Sequence, residues 1–532
     1  MNRTTMTLIA AVTALLAVTG VAALTAPDGS ADDVGSAERR PVQRSSLLCP
    51  VPSTVSDLAE TVYDSFTPGS GGQGSAELRA ARPADNASGG TGKDGPKDGD
   101  DKGDKDGKGG NDDKEGEDNK DGKGGKGEGD AGGAKGKLVL SAKKPGQPVT
   151  ADASGSDAPA LIGTADGSLA PGWTVQQTTG IAVGEGRGLL GVSCAAPDTD
   201  FWFPAASTAD SRSDYVHLVN PDDSAAVVDL QLYGKAGAIK SDVAEGIQVR
   251  PHQSVPVLLS TLTERPETNL TVHVTARTGR VSAFLQGSDR ELGSDWMPGA
   301  AAPAGSLVLP GVPEDATAVR LVAFAPGDED ADLNIRLASP TGSVTPAGHE
   351  TLHVKSGMTA AVDLGALTHE GGSLVLTPAS DSPVPVVAAL RVVRGKGDDK
   401  ESAFIPATAA VDRRATAAGN HAKDATLALA APRATAKVRV TASRGTDGGS
   451  PVSKTYTIKR GTTLTVRPPV PAKLKGTYAV TVEPLSGGPV YAARMLGRKE
   501  NGIPMFTVQT LPDDRGTVRV PRAEQDLSVL QQ

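Results

Sequence analysis

The sequence predicts an all-β protein of about four tandem β-sandwich domains of the immunoglobulin-like type. Glycine and proline supply 64 and 38 of the 532 residues, which is typical of short strands separated by turns. Apolar and polar residues alternate at period two, as at Leu333, Ile335 and Leu337, and this alternation indicates half-buried strands. Two further elements are predicted, an N-terminal signal or anchor helix and a disordered Gly/Asp/Lys insertion.

A pattern about one hundred residues long recurs along the chain after the Gly/Asp/Lys insertion. Each unit opens on a short apolar run that ends in proline, at 201–204, 307–310 and 403–406. Each unit closes on a strand, a turn and a second strand. The pattern places three sandwiches at 200–300, 303–398 and 402–500, followed by a C-terminal β extension at 501–532.

A first sandwich fits the same template over 42–198, with a low-complexity segment at 70–136 inside it. Within 91–136 the chain has 16 Gly, 11 Asp, 10 Lys and 3 Glu, but no Val, Ile, Leu, Met or aromatic residue. Nothing in this segment can offset the entropy of ordering the chain by burial. We therefore expect a disordered insertion within the first sandwich.

Residues 1–26 carry the features of an export signal. A nearly uninterrupted apolar run from Leu8 to Leu24 follows a short segment that contains Arg3. The length of the run is compatible with cleavage, and also with retention of residues 6–26 as a membrane anchor. Both outcomes predict an extracellular or cell-surface protein, which contacts the membrane only through this helix if the helix is uncleaved.

The two cysteines of the chain are Cys49 and Cys194. An even number of cysteines in an exported protein predicts a disulfide bond. The bond would join the first and last strands of the first sandwich and close a loop of about 145 residues. Two buried free thiols are the alternative.

The segment 349–353 reads His-Glu-Thr-Leu-His and matches a zinc-hydrolase motif. On a helix, His349 and His353 would share one face and hold a metal, while Glu350 would activate its water. The repeat instead places the segment on a strand, where four residues separate the two imidazoles by about 13 Å. One zinc ion with bonds of about 2 Å cannot bridge that distance. We therefore reject His349, Glu350 and His353 as metal ligands and expect no catalytic residue, metal or cofactor.

Composition narrows the possible partners. The formal net charge of −9 provides no basic face for nucleic acid. Aromatic residues make up only 3% of the chain, which disfavours an aromatic-rich active site. Trp173, Trp202 and Trp296 are the candidates for stacking against sugar rings, although a single tryptophan in each unit more often fills a core.

Four segments resemble a known family, namely 215–221, 232–234, 321–327 and 506–514. They are similar to secreted actinobacterial proteins grouped as domain of unknown function 5719, and the resemblance extends from about residue 42 to the C-terminus. It implies an exported, envelope-associated protein with no assigned activity and no family catalytic residues.

The sequence therefore predicts a non-enzymatic scaffold or binding-module array at the cell envelope, whose partner is an unidentified envelope protein or glycan. The alternatives are a secreted zinc hydrolase that uses the 349–353 motif and a glycan-binding accessory protein.

Overall fold

The computed structural model describes residues 38–53, 56–84, 136–184, 186–367, 371–500 and 502–520. The predicted signal or anchor at 1–26 and most of the predicted insertion lie outside these residues. The chain forms two units, a small one that includes 38–42 and 515–520 and a compact one over 43–514. The first strand, β1 (Glu38–Pro41), belongs to the small unit.

The large unit contains four sandwiches in chain order. The strands of the first sandwich are β2 (Arg44–Cys49), β3 (Glu60–Phe66), β4 (Gly74–Ala80), β5 (Leu138–Ala142), β6 (Val149–Ser154), β7 (Leu161–Gly167), β8 (Thr174–Ile181) and β9 (Gly188–Ser193). The strands of the second are β10 (Asp200–Ala206), β11 (Tyr215–Val219), β12 (Ala226–Gly234), β13 (Gly237–Ile239), β14 (Ile247–Val249), β15 (Ser254–Leu258), β16 (Leu270–Thr278), β17 (Ser282–Asp289) and β18 (Gly293–Pro298).

The third and fourth sandwiches follow. The strands of the third are β19 (Leu307–Val312), β20 (Ala316–Phe324), β21 (Ala331–Ala338), β22 (Ser343–Val344), β23 (Thr351–Val354), β24 (Thr359–Gly365), β25 (Gly372–Pro378), β26 (Val387–Arg394) and β27 (Glu401–Pro406). The strands of the fourth are β28 (Ala415–Asn420), β29 (Ala425–Ala431), β30 (Ala436–Gly445), β31 (Gly448–Ser450), β32 (Val452–Ile458), β33 (Thr462–Val466), β34 (Ala472–Lys475), β35 (Tyr478–Gly487), β36 (Tyr491–Glu500) and β37 (Ile503–Thr510).

All four sandwiches share one topology. In the first, the opening sheet has the order β2-β7-β4-β5 and the closing sheet has the order β6-β3-β8-β9. The other opening sheets begin β10-β16-β12, β19-β25-β21 and β28-β35-β30, and the closing sheets are β15-β11-β17-β18, β24-β20-β26-β27 and β33-β29-β36-β37. Every pairing between named strands is antiparallel, and the described residues contain three short 3-10 helices but no α-helix. The predicted all-β class of tandem sandwiches is confirmed.

The structure differs from the predicted boundaries at three places. β27 was expected to open the fourth sandwich, but it pairs with β26 and closes the third. β37 was expected in a C-terminal extension, but it pairs with β36 and closes the fourth. β4 falls in the segment expected to be coil, yet Ala76 and Leu78 are fully buried in it. The physical reason at β27 is that an apolar strand ending in proline occurs at both ends of a unit, since β18 also ends at Pro298.

The last strands of the four sandwiches meet at a common axis. We call β9, β18, β27 and β37 the closing strands. β9 lies beside β18, β18 beside β27, β27 beside β37, and β37 again beside β9. The four sandwiches are therefore arranged as a closed ring, in which the first sandwich contacts the fourth.

Contacts between sheets close the ring as well. The opening strands of the second and third sandwiches pack on the closing sheet of the next sandwich. β10 lies on β20 and β26, and β19 lies on β29 and β36. β28 of the fourth sandwich packs in the same way on β3 and β8 of the first. The core of the second sandwich accordingly includes Val322 and Ala389 of the third. The closing sheets are covered on both faces, which explains why β27 is buried along its whole length.

The first sandwich is stapled by a disulfide bond between Cys49 and Cys194, as predicted. Cys49 ends β2 and Cys194 follows β9, and their Cα atoms are 4.5 Å apart. Leu48 and Ala195 exchange two backbone hydrogen bonds beside the bond, with N–O distances of 2.8 and 3.0 Å. The disulfide thus joins the two sheets of the first sandwich at the edge that carries its closing strand.

In the small unit, β1 pairs antiparallel with β38 (Thr517–Val520). The amide of Val42 extends the ladder by donating to the carbonyl of Gly516 at 3.2 Å. Among the residues that the structure describes, no helix is both long enough and apolar enough to cross a membrane.

Candidate functional site

The 349–353 segment does not lie on a helix. His353 is on β23, where its Nδ1 lies 2.8 Å from Asp332 Oδ1 and its Nε2 lies 3.5 Å from Asp330 Oδ2. His349 is in the turn before β23, and the Glu350 carboxylate accepts a hydrogen bond from the amide of Gly348. Across the described ranges, no group of three or more His, Cys, Asp or Glu side chains is arranged to hold a metal ion.

The three tryptophans are buried. Trp173 donates from its indole nitrogen to Ser65 at 2.9 Å, and Trp202 stacks on His273 with ring centroids 3.6 Å apart. Trp296 is fully buried. Because none of these rings faces solvent, none forms a surface platform for stacking against a sugar.

Several ionisable groups with shifted pKa values lie where sandwiches meet. Asp295 of β18 is fully buried at the ring axis. Its Oδ1 accepts hydrogen bonds from the amide of Gly191 on β9 at 3.0 Å and from the amide of Trp296 at 2.8 Å. The Phe404 amide on β27 and the Thr507 hydroxyl on β37 also favour the charged form of this carboxyl. One side chain therefore interacts with all four closing strands.

Burial dominates the protonation of Asp295. Removal of the carboxyl from water raises its pKa well above the ordinary value, and the surrounding hydrogen-bond donors only partly oppose this shift. Its Oδ2 is buried and has no hydrogen-bond partner among the described residues. Asp295 thus favours the protonated form more than an exposed aspartate does.

A second buried carboxyl connects three sandwiches at the ends of their closing strands. Glu401 begins β27, and its Oε1 lies 2.8 Å from Nε of Arg187, just before β9. Arg187 also donates to the carbonyl of Lys400 at 2.9 Å. Gly293 of β18 lies against the same carboxyl, and a Cβ atom there would be 2.5 Å from Glu401 Oε2. Burial raises the pKa of Glu401 to about 7, although Arg187 opposes the shift.

This pKa predicts how stability changes with pH. Between the ordinary value of 4.5 and about 7, folded Glu401 holds its proton while the unfolded chain loses it, so folding weakens as pH rises. Because glutamine does not titrate, Glu401→Gln should remove this contribution. The change in unfolding free energy from pH 4.5 to pH 8 should then be less destabilising than in the wild type by about 2 kcal/mol. Urea titrations at both pH values would measure it.

Glu483→Gln is the matched control, since Glu483 forms an exposed pair with Arg439. A Glu401→Gln protein with the same pH dependence as the wild type would contradict the assignment of this pH response to Glu401.

The fourth and first sandwiches meet around a buried arginine. Arg494 of β36 is fully buried and donates to the Ala418 carbonyl and to the side chains of Gln176, Asn420 and Gln509. Gln176 belongs to β8 of the first sandwich, whereas the other three partners belong to the fourth. Arg494 therefore connects the fourth sandwich to the first by hydrogen bonds.

Asp64 of β3 completes this junction. It is buried, and its Oδ1 accepts a hydrogen bond from the Thr477 hydroxyl of the fourth sandwich at 2.8 Å. Burial raises the pKa of Asp64, while Thr477 and Arg494 lower it. Burial also lowers the pKa of Arg494 to about 10, so the guanidinium stays charged at neutral pH. Gly419, with φ of +70°, allows β28 to approach Asp64 where a Cβ atom would overlap the carboxylate.

Two other junctions bury different polar groups, a histidine at one and an ion pair at the other. Between the first and second sandwiches, burial lowers the pKa of His217 to about 4, and its Nε2 lies 3.2 Å from Gln286 Oε1. Between the second and third, Arg212 forms a two-pronged pair with the fully buried Asp214, at 2.9 and 2.7 Å. The sequence did not predict a role for these polar residues. No local motif marks a polar residue that a neighbouring sandwich will bury.

The fold and these junctions define the class of protein, an all-β ring of four sandwiches with polar and ionic groups buried at its axis and junctions. The chain belongs to the family described as a family of unknown function, DUF5719, whose sequence model matches residues 149–469. The match runs from β6 of the first sandwich past β33 of the fourth, and it confirms the resemblance found in the sequence. No curated protein and no solved structure matches the chain.

Proposed function

We propose that this protein is an exported, non-enzymatic platform of the cell envelope, which binds a protein or glycan partner on the outside of a rigid ring. The observation that carries the proposal is the location of its perturbed ionisable groups. Asp64, His217, Asp295 and Arg494 are completely or almost completely buried between sandwiches. Catalytic groups with shifted pKa values normally line a cleft that a substrate can enter. These four groups instead lie between sandwiches, away from solvent.

A closed ring suits a binding platform. Its surfaces are fixed relative to one another, so a partner is bound without the entropy cost of ordering separate domains. Each closing sheet has one edge strand at the axis, and these strands are β9, β18, β27 and β37. The opposite edge strands of the same sheets are β6, β15, β24 and β33. Such edge strands and the loops beside them are common sites of protein recognition.

Two features support export, and a third bears on the partner. The apolar run within residues 1–26 has the pattern of a signal or anchor. The disulfide between Cys49 and Cys194 is typical of an oxidising compartment. The net charge of −9 favours partners other than nucleic acid.

The proposal predicts that the folded chain is retained by envelope material from its own source. Tagged protein would be incubated with washed membranes and with wall fragments, and retention would be measured with and without excess untagged protein. We expect saturable retention that the untagged chain abolishes. Fractionation of the source cells should recover the protein outside the cytoplasm.

Two outcomes would contradict the proposal. Absence of retention on both membranes and wall fragments would rule out the binding role. A protein found entirely in the cytoplasm with free Cys49 and Cys194 thiols would rule out export.

A further inference from the structure

Arg391 of β26 has an unusual environment at the junction of the second and third sandwiches. Its side chain is only 20% exposed, and its one ion pair in the described part of the chain is with Asp289, at a long 3.8 Å. That distance is beyond a hydrogen bond, so the fork of five N–H donors is left without a close acceptor. The Arg391 nitrogens are not among the buried, unpartnered side-chain atoms of the described residues, so they remain accessible to solvent.

The other acidic groups near Arg391 already have partners. Asp214 accepts two hydrogen bonds from Arg212. Asp363 accepts two from Arg320, one from Nε and one from Nη2, each at 2.6 Å. The positive charges of Arg212 and Arg320 act on Arg391 and add to the burial that lowers its pKa to about 10. Asp289, Asp214 and Asp363 balance the charges of Arg391, Arg212 and Arg320, and among these three arginines Arg391 alone has no carboxylate within hydrogen-bond distance.

Arg391 lines an open cavity of about 490 Å³. Lys396, Lys400, Gly395, Gly397 and Thr317 also line it. No acidic residue is among the residues that form its walls. Asp398 and Asp399 lie on the same exposed loop but are not part of the lining. The volume is within the range of small-molecule sites.

We propose that this cavity is a phosphate-binding site. The planar guanidinium of Arg391 would bind two phosphate oxygens in parallel, and the two lysines would add point charges at the mouth of the cavity. Three cations suit a dianionic phosphate better than a single carboxylate. The partly buried position of Arg391 strengthens its interaction with a charged group, because the surroundings screen it less than water does.

The inference goes beyond the envelope platform and does not depend on it. Phosphate binding would be measured on the purified full chain, whereas the platform is tested by retention on envelope material. Either result can fail while the other holds.

The test is calorimetric titration of the full chain with inorganic phosphate at constant ionic strength, with chloride as the matched salt. We expect saturable binding that the double variant Lys396→Ser/Lys400→Ser weakens at least tenfold. Both lysines are exposed, so their replacement leaves the fold intact. Arg391→Lys keeps the charge but loses the fork, and it should weaken binding as well.

Lys437→Ser/Lys459→Ser removes the same charge from exposed positions on the fourth sandwich and should leave binding unchanged. Absence of saturable binding in the wild type, or equal weakening in both double variants, would overturn the proposal. Titration with glycerol 3-phosphate, a monoester, and with glycerophosphoglycerol, a diester, identifies the source of the bound phosphate. We expect at least one of the two to bind as tightly as inorganic phosphate. Tighter binding of the diester would indicate the phosphodiester of a polymer or lipid.

Discussion

Replacing Arg494 with methionine should lower the free energy of unfolding by about 3–5 kcal/mol. The change removes one buried charge and leaves the carbonyl of Ala418 and the side-chain oxygens of Gln176 and Gln509 without their donor. It also leaves Asp64 buried without the arginine that favours its charge. Methionine fills a similar volume, so the loss measures the polar junction more than a cavity. Urea unfolding, followed by circular dichroism, would measure it.

Arg439→Met is the control for this substitution. Arg439 pairs with Glu483 at 2.8 Å, but its side chain is 47% exposed, and exposed pairs contribute about 1 kcal/mol or less. If the two variants lose equal stability, Arg494 does not hold the ring closed. A further expected consequence is faster hydrogen exchange along β28 and β8, the strands that meet at this junction.

The double variant Cys49→Ser/Cys194→Ser should lose about 4 kcal/mol of stability. In the oxidised protein the bond closes a loop of 145 residues, which restricts the unfolded chain. Both cysteines are buried, so the hydroxyl groups of serine also add a small cost. Thermal unfolding of the variant and of the wild type, each with and without reductant, would measure the effect.

Reductant should lower the stability of the wild type toward that of the double variant and should leave the variant unchanged. Equal stability of the oxidised wild type and the variant would show that the backbone hydrogen bonds between Leu48 and Ala195 hold the two sheets together without the bond.

The fold class could be predicted because its signals are local. Alternation at Leu333, Ile335 and Leu337 reports which residues of β21 face a core, and these three residues are buried in the core of the third sandwich. Turns rich in glycine and proline mark where strands end. The disulfide was predictable for a different reason, because the chain has only two cysteines and each lies beside a recognisable strand.

The strand order near the domain boundaries was harder to predict. β27 and β19 carry the same signature of an apolar run with a proline, although one closes a sandwich and the other opens it. β28 opens the fourth sandwich with the sequence Ala-Thr-Ala-Ala-Gly-Asn, which has no large apolar residue. Local patterns therefore could not tell which neighbouring strand each one would pair with.

The sequence by itself determined the strands, the sandwich class, the disulfide and the family. Only the tertiary structure decided that four sandwiches close into a ring, and that polar residues such as Asp64, Asp295 and Arg494 lie inside it. The physical reason is that a period-two pattern reports which face of a strand is buried, but not what covers the other face. Thr477 and Asp64, which are hydrogen-bonded across the ring closure, are 413 residues apart in the chain, and no local preference connects them.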